Sequence, residues 1–320
     1  MKTLNDVLRA GNLFTVDPLA CMAHAEIIKK YKSEKKTEIW GNHPPELLLA
    51  FKIFFISICH QINWDFLQES IFKNTLGKNL DLIETLKNID SKTLNSWLID
   101  YPKKDRIKAK ERALILRETA RTIIEKFDSN PKKLYSAAKN STLGGKAFEE
   151  LMNSFTAYQK DPLKKKTNVL THDLTTEGII HFEDEENLEP AVDYHIMRTY
   201  LRTGRVIPVD QALFKFFKGT PNPRNYITTK LRETVTEAVK LTSHYSRINI
   251  AEINYIEWQI GRSACTNKEP ICHFHRNSNL PPAIEALSPH PCPYMDSCLA
   301  FNTMEEFIEF EEPIFISSHY

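Results

Sequence analysis

The sequence predicts an all-helical protein, and three observations carry the prediction. Long segments repeat apolar residues at helical spacing, no stretch alternates as a half-buried strand would, and 9 glycines in 320 residues leave no Gly-rich phosphate loop. At 42% hydrophobic the chain buries a sizeable core, and its length suits two lobes. Net charge is +1, which argues against a strongly basic coat but permits a local basic groove.

The elements follow in order. Leu47 to Cys59 is strongly apolar, but it is too short to span a membrane and contains Lys52. Residues 106–127 place Ala113, Leu116, Ala120, Ile123, Ile124 and Phe127 on one stripe. Leu231, Val235, Ala238 and Val239 form a second stripe, and Ile250, Ile253, Ile256 and Ile260 a third. Loops are expected at Gly41 to Pro45, Ser129 to Pro131, Glu183 to Glu189, Pro208 to Tyr226 and Leu280 to Pro293. The amino end carries no secretory core, so the expected compartment is the cytosol, at the nucleoid, or the nucleus.

Four segments carry chemistry. Six residues separate Cys265 from Cys272, five separate Cys292 from Cys298, and nineteen separate the two clips. Thiols so clustered in a chain of this kind point to a metal. A [4Fe–4S] cluster suits the wide spacing, whereas zinc modules favour C-x2-C knuckles. Zinc stays open as the runner-up, with His273, His275 and His290 as further donors. Cys21 and Cys59 stand singly in helical contexts and read as small buried hydrophobes.

The second segment, Glu189 to Arg198, leads Asp193 into a helix. Asp193 is expected to cap that helix and is a candidate general base or stabiliser of a developing cation. The third, Lys160 to Leu170, contains three consecutive lysines. They read as a solvated patch or a contact for a DNA backbone, or one of them as an inward amine nucleophile. In the fourth, Ile58 to Leu67, Trp64 is placed to stack on a planar ring while Gln61 or Asn63 reads its edge. A satisfied helix terminus explains the same residues.

In this order, the segments resemble the helix-hairpin-helix base-excision DNA glycosylases, the superfamily of endonuclease III. The stretch from Trp258 through Gly261-Arg262 to Cys265, with Pro270 before Cys272, is similar to the start of that family's cluster loop. Ala191-Val192-Asp193-Tyr194-His195-Ile196 with Arg198 is similar to the motif of its catalytic aspartate. Lys108-Ala109-Lys110 resembles the segment preceding its hairpin. The order of Lys166-Thr167, Val192-Asp193-Tyr194 and the Trp258 helix resembles the archaeal 8-oxoguanine branch. The family hairpin reads Leu-Pro-Gly-Val-Gly before its lysine, and no such glycine pair precedes Lys166; Leu143-Gly144-Gly145-Lys146 is the Gly-rich alternative. Ile207-Pro208-Val209-Asp210 is a second Val-Asp, ranked below Asp193 because fewer flanking residues match.

The resemblance implies a two-lobed helix-hairpin-helix fold with a cleft between the lobes and a C-terminal four-cysteine metal loop. Residues 1–49 would supply the amino-terminal part of the second lobe, 50–165 a helical bundle, and 166–320 the lobe with the aspartate and the cysteine loop. It implies a monomer acting on double-stranded DNA that contains a damaged base, an oxidised purine for instance, with no membrane partner. It also implies glycosylase activity, with or without lyase activity, through Lys166 and Asp193, with Lys165 and Lys146 as alternative nucleophiles. The rival readings are a non-catalytic nucleic-acid-binding module and a zinc-stabilised helical interaction protein.

Overall fold

The computed structural model describes residues 11–32, 43–161, 163–217, 225–274, 279–303 and 305–311. Strand β1 (Phe14–Val16) and helix α1 (Pro18–Ile28) come first. Then follow α2 (Pro45–Ser57), α3 (Trp64–Asn74), α4 (Leu82–Lys87), α5 (Ser91–Trp97), α6 (Ala109–Phe127), α7 (Pro131–Lys139), α8 (Ala147–Met152), α9 (Thr156–Gln159) and α10 (Lys165–Thr176). The chain continues with α11 (Tyr194–Arg202), β2 (Val206–Pro208), α12 (Gln211–Phe217), α13 (Asn225–Ser246), α14 (Ile250–Ser263), α15 (Ile271–Phe274), α16 (Pro282–Glu285) and α17 (Leu299–Asn302). The protein is thus mainly helical. No helix among the described residues is long and apolar enough to cross a membrane.

Two compact units divide the chain: Met1–Lys35 with Glu189–Ile316, and Lys36–Leu188. The division after Leu188 differs from the expected one after residue 165. The reason is α10, which is pinned to α2 at both its ends. Lys52 on α2 pairs with Asp173 and Glu177, each at 2.8 Å, while Lys166 Nζ donates to Ser57 O at 2.8 Å.

In the Lys36–Leu188 unit, α2 starts with Pro45, whose fixed φ suits a first turn, and every residue from Leu49 to Ser57 is buried. A helix apolar all round belongs at the centre of a core. The expected stripe on α6 faces inward: Ala113, Leu116, Ala120, Ile123 and Phe127 are buried, and Ile124 packs half-buried against the same core.

The other unit closes around α13. Its stripe of Leu231, Val235, Ala238 and Val239 is fully buried, and α1 packs against this helix. Asp17 caps α1 by accepting from Leu19 N and Ala20 N. A small sheet that the sequence does not announce pairs Phe14 with Pro208 and Val16 with Val206, antiparallel. Helix α12 lies inside the expected Pro208 to Tyr226 loop because Leu213 and Phe217 turn into the core beside Phe310. Gly204, at φ +77°, meets Leu299 so closely that a Cβ would stand 2.7 Å from its Cδ2.

Candidate functional site

The lysine segment begins α10 through a left-handed turn at Lys164, φ 55°. Asp161 organises the turn. One carboxylate oxygen accepts from Leu163 N at 3.3 Å, and the other from Lys166 N at 2.7 Å. A β-carbon in this conformation costs roughly 1–2 kcal/mol, which is why such positions favour glycine. Lys164 is steadied there by Asn153 Oδ1 at 2.7 Å.

Lys166 points inward and is 3% exposed. Its Nζ donates to Ser57 O, at the carbonyl end of α2, and among the described residues no carboxylate pairs with it. Burial pulls the amine below the ordinary lysine range, against the opposing pull of Cys59 and Asp161. Lys52, buried in the same unit, shows the opposite outcome. Desolvation opposes its charge, but Asp173 and Glu177 outweigh it and hold the ammonium firmly protonated. Of the alternative nucleophiles, Lys165 is half-buried and Lys146 exposed.

Arg112 was not singled out by its sequence context, yet it organises the segment before Trp64. It is fully buried and donates to Ile58 O at 3.0 Å, to Arg106 O at 2.7 Å, and to His60 O and Ile107 O. Burial lowers its pKa to about 10. This grip joins two left-handed residues, Gln61 (φ 55°) and Lys108 (φ 43°), whose side chains meet with Lys108 Nζ 3.1 Å from Gln61 Oε1. Gln61 is exposed at this turn. Asn63 caps α3 by accepting from Phe66 N at 2.9 Å. Trp64 lies half-buried, edge-on to Phe55 with ring centroids 4.4 Å apart. Gln61 therefore offers its side chain at the surface, while Asn63 and Trp64 also serve the fold.

Asp193 is the amino-terminal cap of α11 and is 5% exposed. Its Oδ1 accepts from His195 N at 2.9 Å and Ile196 N at 3.1 Å. Among the described residues, Oδ2 accepts no hydrogen bond. One oxygen thus holds the helix while the other takes no part in the cap. Asp210 caps α12 in the same way, accepting from Ala212 N at 3.0 Å, but it is less buried. Helix α11 lies close on α14, and a Cβ at Gly261 would stand 2.8 Å from His195 Cβ.

The cysteine segments converge. Cys272, Cys292 and Cys298 are buried and Cys265 half-buried, all as free thiols. Burial, then Cys265, pushes Cys272 up to about 11; burial, then Cys265 with Cys272, pushes Cys298 up to about 12. Burial also drives Cys292 well up, and the other three cysteines reinforce it. Four thiols that feel one another occupy one neighbourhood despite the nineteen residues between the clips. Among the described residues, no three His, Cys, Asp or Glu side chains already stand as a metal-holding group. The donor chemistry suits a soft metal or an iron–sulfur cluster, since only metal ligation makes several buried thiolates affordable. His290 is engaged elsewhere, 3.1 Å from Asp296, and His275 lies outside the described residues.

No family model matches the chain, and no curated protein matches it either.

Proposed function

We propose that the protein is a DNA glycosylase that excises a damaged base, an oxidised purine for instance, from double-stranded DNA as a monomer. The observation that carries this reading is Lys166, a buried amine lowered in pKa and unpaired with any carboxylate among the described residues. Amine nucleophiles must be neutral near pH 7, and desolvation is one way to achieve that. The target nucleotide is extruded from the stack, since the bond to be broken is shielded in a duplex. Lys166 Nζ leaves the Ser57 carbonyl and attacks the sugar's anomeric carbon. The glycosidic C–N bond breaks, and the base departs with its electron pair and gains a proton. Ring opening then gives a Schiff base, the route to strand cleavage. Gln61, with Asn63 and Trp64, is assigned to base recognition.

Cys265, Cys272, Cys292 and Cys298 are proposed to hold a [4Fe–4S] cluster, with zinc as the other outcome of a metal assay. When bound, the group would cross-link the end of α14 to the 292–298 segment.

The rival is a non-catalytic nucleic-acid-binding module, and the bond from Lys166 to Ser57 O favours it, because that is how a purely structural lysine is satisfied. Borohydride trapping on a panel of damaged duplexes separates the two. The glycosylase gives a covalent adduct that Lys166→Gln abolishes, and the binding module gives none on any lesion.

A further inference from the structure

Arg202 ends α11 and is 1% exposed. Its guanidinium donates to Thr266 O and Asn267 O, both at 2.6 Å, and to Phe310 O at 3.2 Å. It also reaches Cys265 Sγ at 3.6 Å, while Arg202 O accepts from Cys298 Sγ at 3.6 Å. One residue therefore touches a thiol from each clip. Among the described residues no carboxylate pairs with Arg202. Arg205, three residues on, is buried too, but Glu257 meets it on both terminal nitrogens, one of them at 3.0 Å. A buried cation satisfied only by neutral carbonyls lacks its counter-charge. Within its reach, the group able to become an anion is the thiol of Cys265.

We infer that Arg202 is the counter-ion of a thiolate site: it offsets the negative charge the cysteines acquire on ligation and so governs how firmly they keep their metal group. This rests on the metal reading above. An N–H donor on a ligand sulfur favours the reduced, more negative form, so Arg202 also raises the reduction potential if the group is an iron–sulfur cluster. Arg202 is a positioning residue and not a ligand.

The test uses the full chain purified without oxygen, as wild type, Arg202→Lys and Arg202→Gln. Metal per chain, the rate of release to a chelator and, for iron, the midpoint potential are measured. The wild type should contain stoichiometric metal. Arg202→Gln should lose it about ten- to a hundredfold faster and shift the potential downward, with Arg202→Lys in between because it keeps the charge but not the fork. A potential set by charge and the guanidinium fork moves most with Gln and partway with Lys; loosened packing alone does not sort the variants so. Wild-type release and potential in Arg202→Gln overturn the inference and leave the metal reading standing. Should Arg202→Gln fail to fold, Arg202→Lys carries the comparison, and wild-type values there overturn it equally. A wild type without stoichiometric metal removes the metal reading itself, and this inference with it.

Discussion

Replacing Asp193 separates a structural cap from a catalytic carboxylate within one residue. The cap uses Oδ1, which accepts from His195 N and Ile196 N, and asparagine offers an equivalent oxygen. What Asp193→Asn loses is the charge near the amino end of α11, a term of about 0.3–1 kcal/mol. The melting midpoint should therefore fall by no more than about 4 °C. Asp193→Ala forfeits the cap as well, roughly 0.5–2 kcal/mol more, and should melt lower. Excision should respond in another order. If Oδ2 acts in the reaction, both variants lose on the order of a hundred- to ten-thousandfold, the span typical of a positioned acid or base. The assay is single-turnover excision from a lesion-bearing oligonucleotide, with melting of the same preparations alongside. Full activity in Asp193→Asn would refute the reasoning, and its loss in Asp210→Asn instead would move the role to the cap of α12. Activity that tracks melting temperature across Asn and Ala would leave Asp193 as a cap alone.

Trapping by Lys166 should weaken as pH falls through its lowered pKa, because protonation removes the attacking lone pair; a pH-independent adduct yield would exclude an amine so placed. Lys166→Met should melt higher than wild type at pH 7, since the unfolded chain accepts a proton there more readily than the buried amine does; a lower midpoint would show that the bond to Ser57 O outweighs burial. Lys52→Met takes the buried cation away from the half-buried carboxylates of Asp173 and Glu177 and should cost about 3–5 kcal/mol in denaturant melts, much of it recovered when both acids become amides. His24 is held neutral well below the usual histidine range by burial, then by Arg205. Its contribution to stability is therefore complete above about pH 6.5 and lost as pH falls further, so melts between pH 8 and 5 should flatten in His24→Gln.

The sequence shows the helices because apolar stripes need only local spacing to be read. Leu231, Val235, Ala238 and Val239 declare their face without reference to any partner. The strands of the small sheet are three residues each, too short for alternation to register, and their pairing spans most of the chain. Helix α12 was hidden by the prolines and polar residues around it, and Phe310, far along the chain, gives Phe217 its place. The four thiols are legible as a set; the arginine beside them is not, because Arg202 looks in sequence like any other arginine on a helix.

The two buried lysines show where sequence reading ends. Lys52 and Lys166 both sit in helices, and the group that each amine bonds lies far from it in sequence. Lys52 finds Asp173 and Glu177 more than a hundred residues away and is fixed as a cation. Among the described residues the Lys166 amine bonds the carbonyl of Ser57, equally remote, and burial prevails over the pull of Cys59 and Asp161. A carbonyl satisfies one N–H of an ammonium without neutralising its charge, so the desolvation penalty remains and favours the free amine. The chemistry proposed for Lys166 thus depends on what α2 presents to it. A carboxylate at Cys59, whose thiol already opposes that burial, should restore the cation and abolish trapping while leaving Lys166 itself untouched.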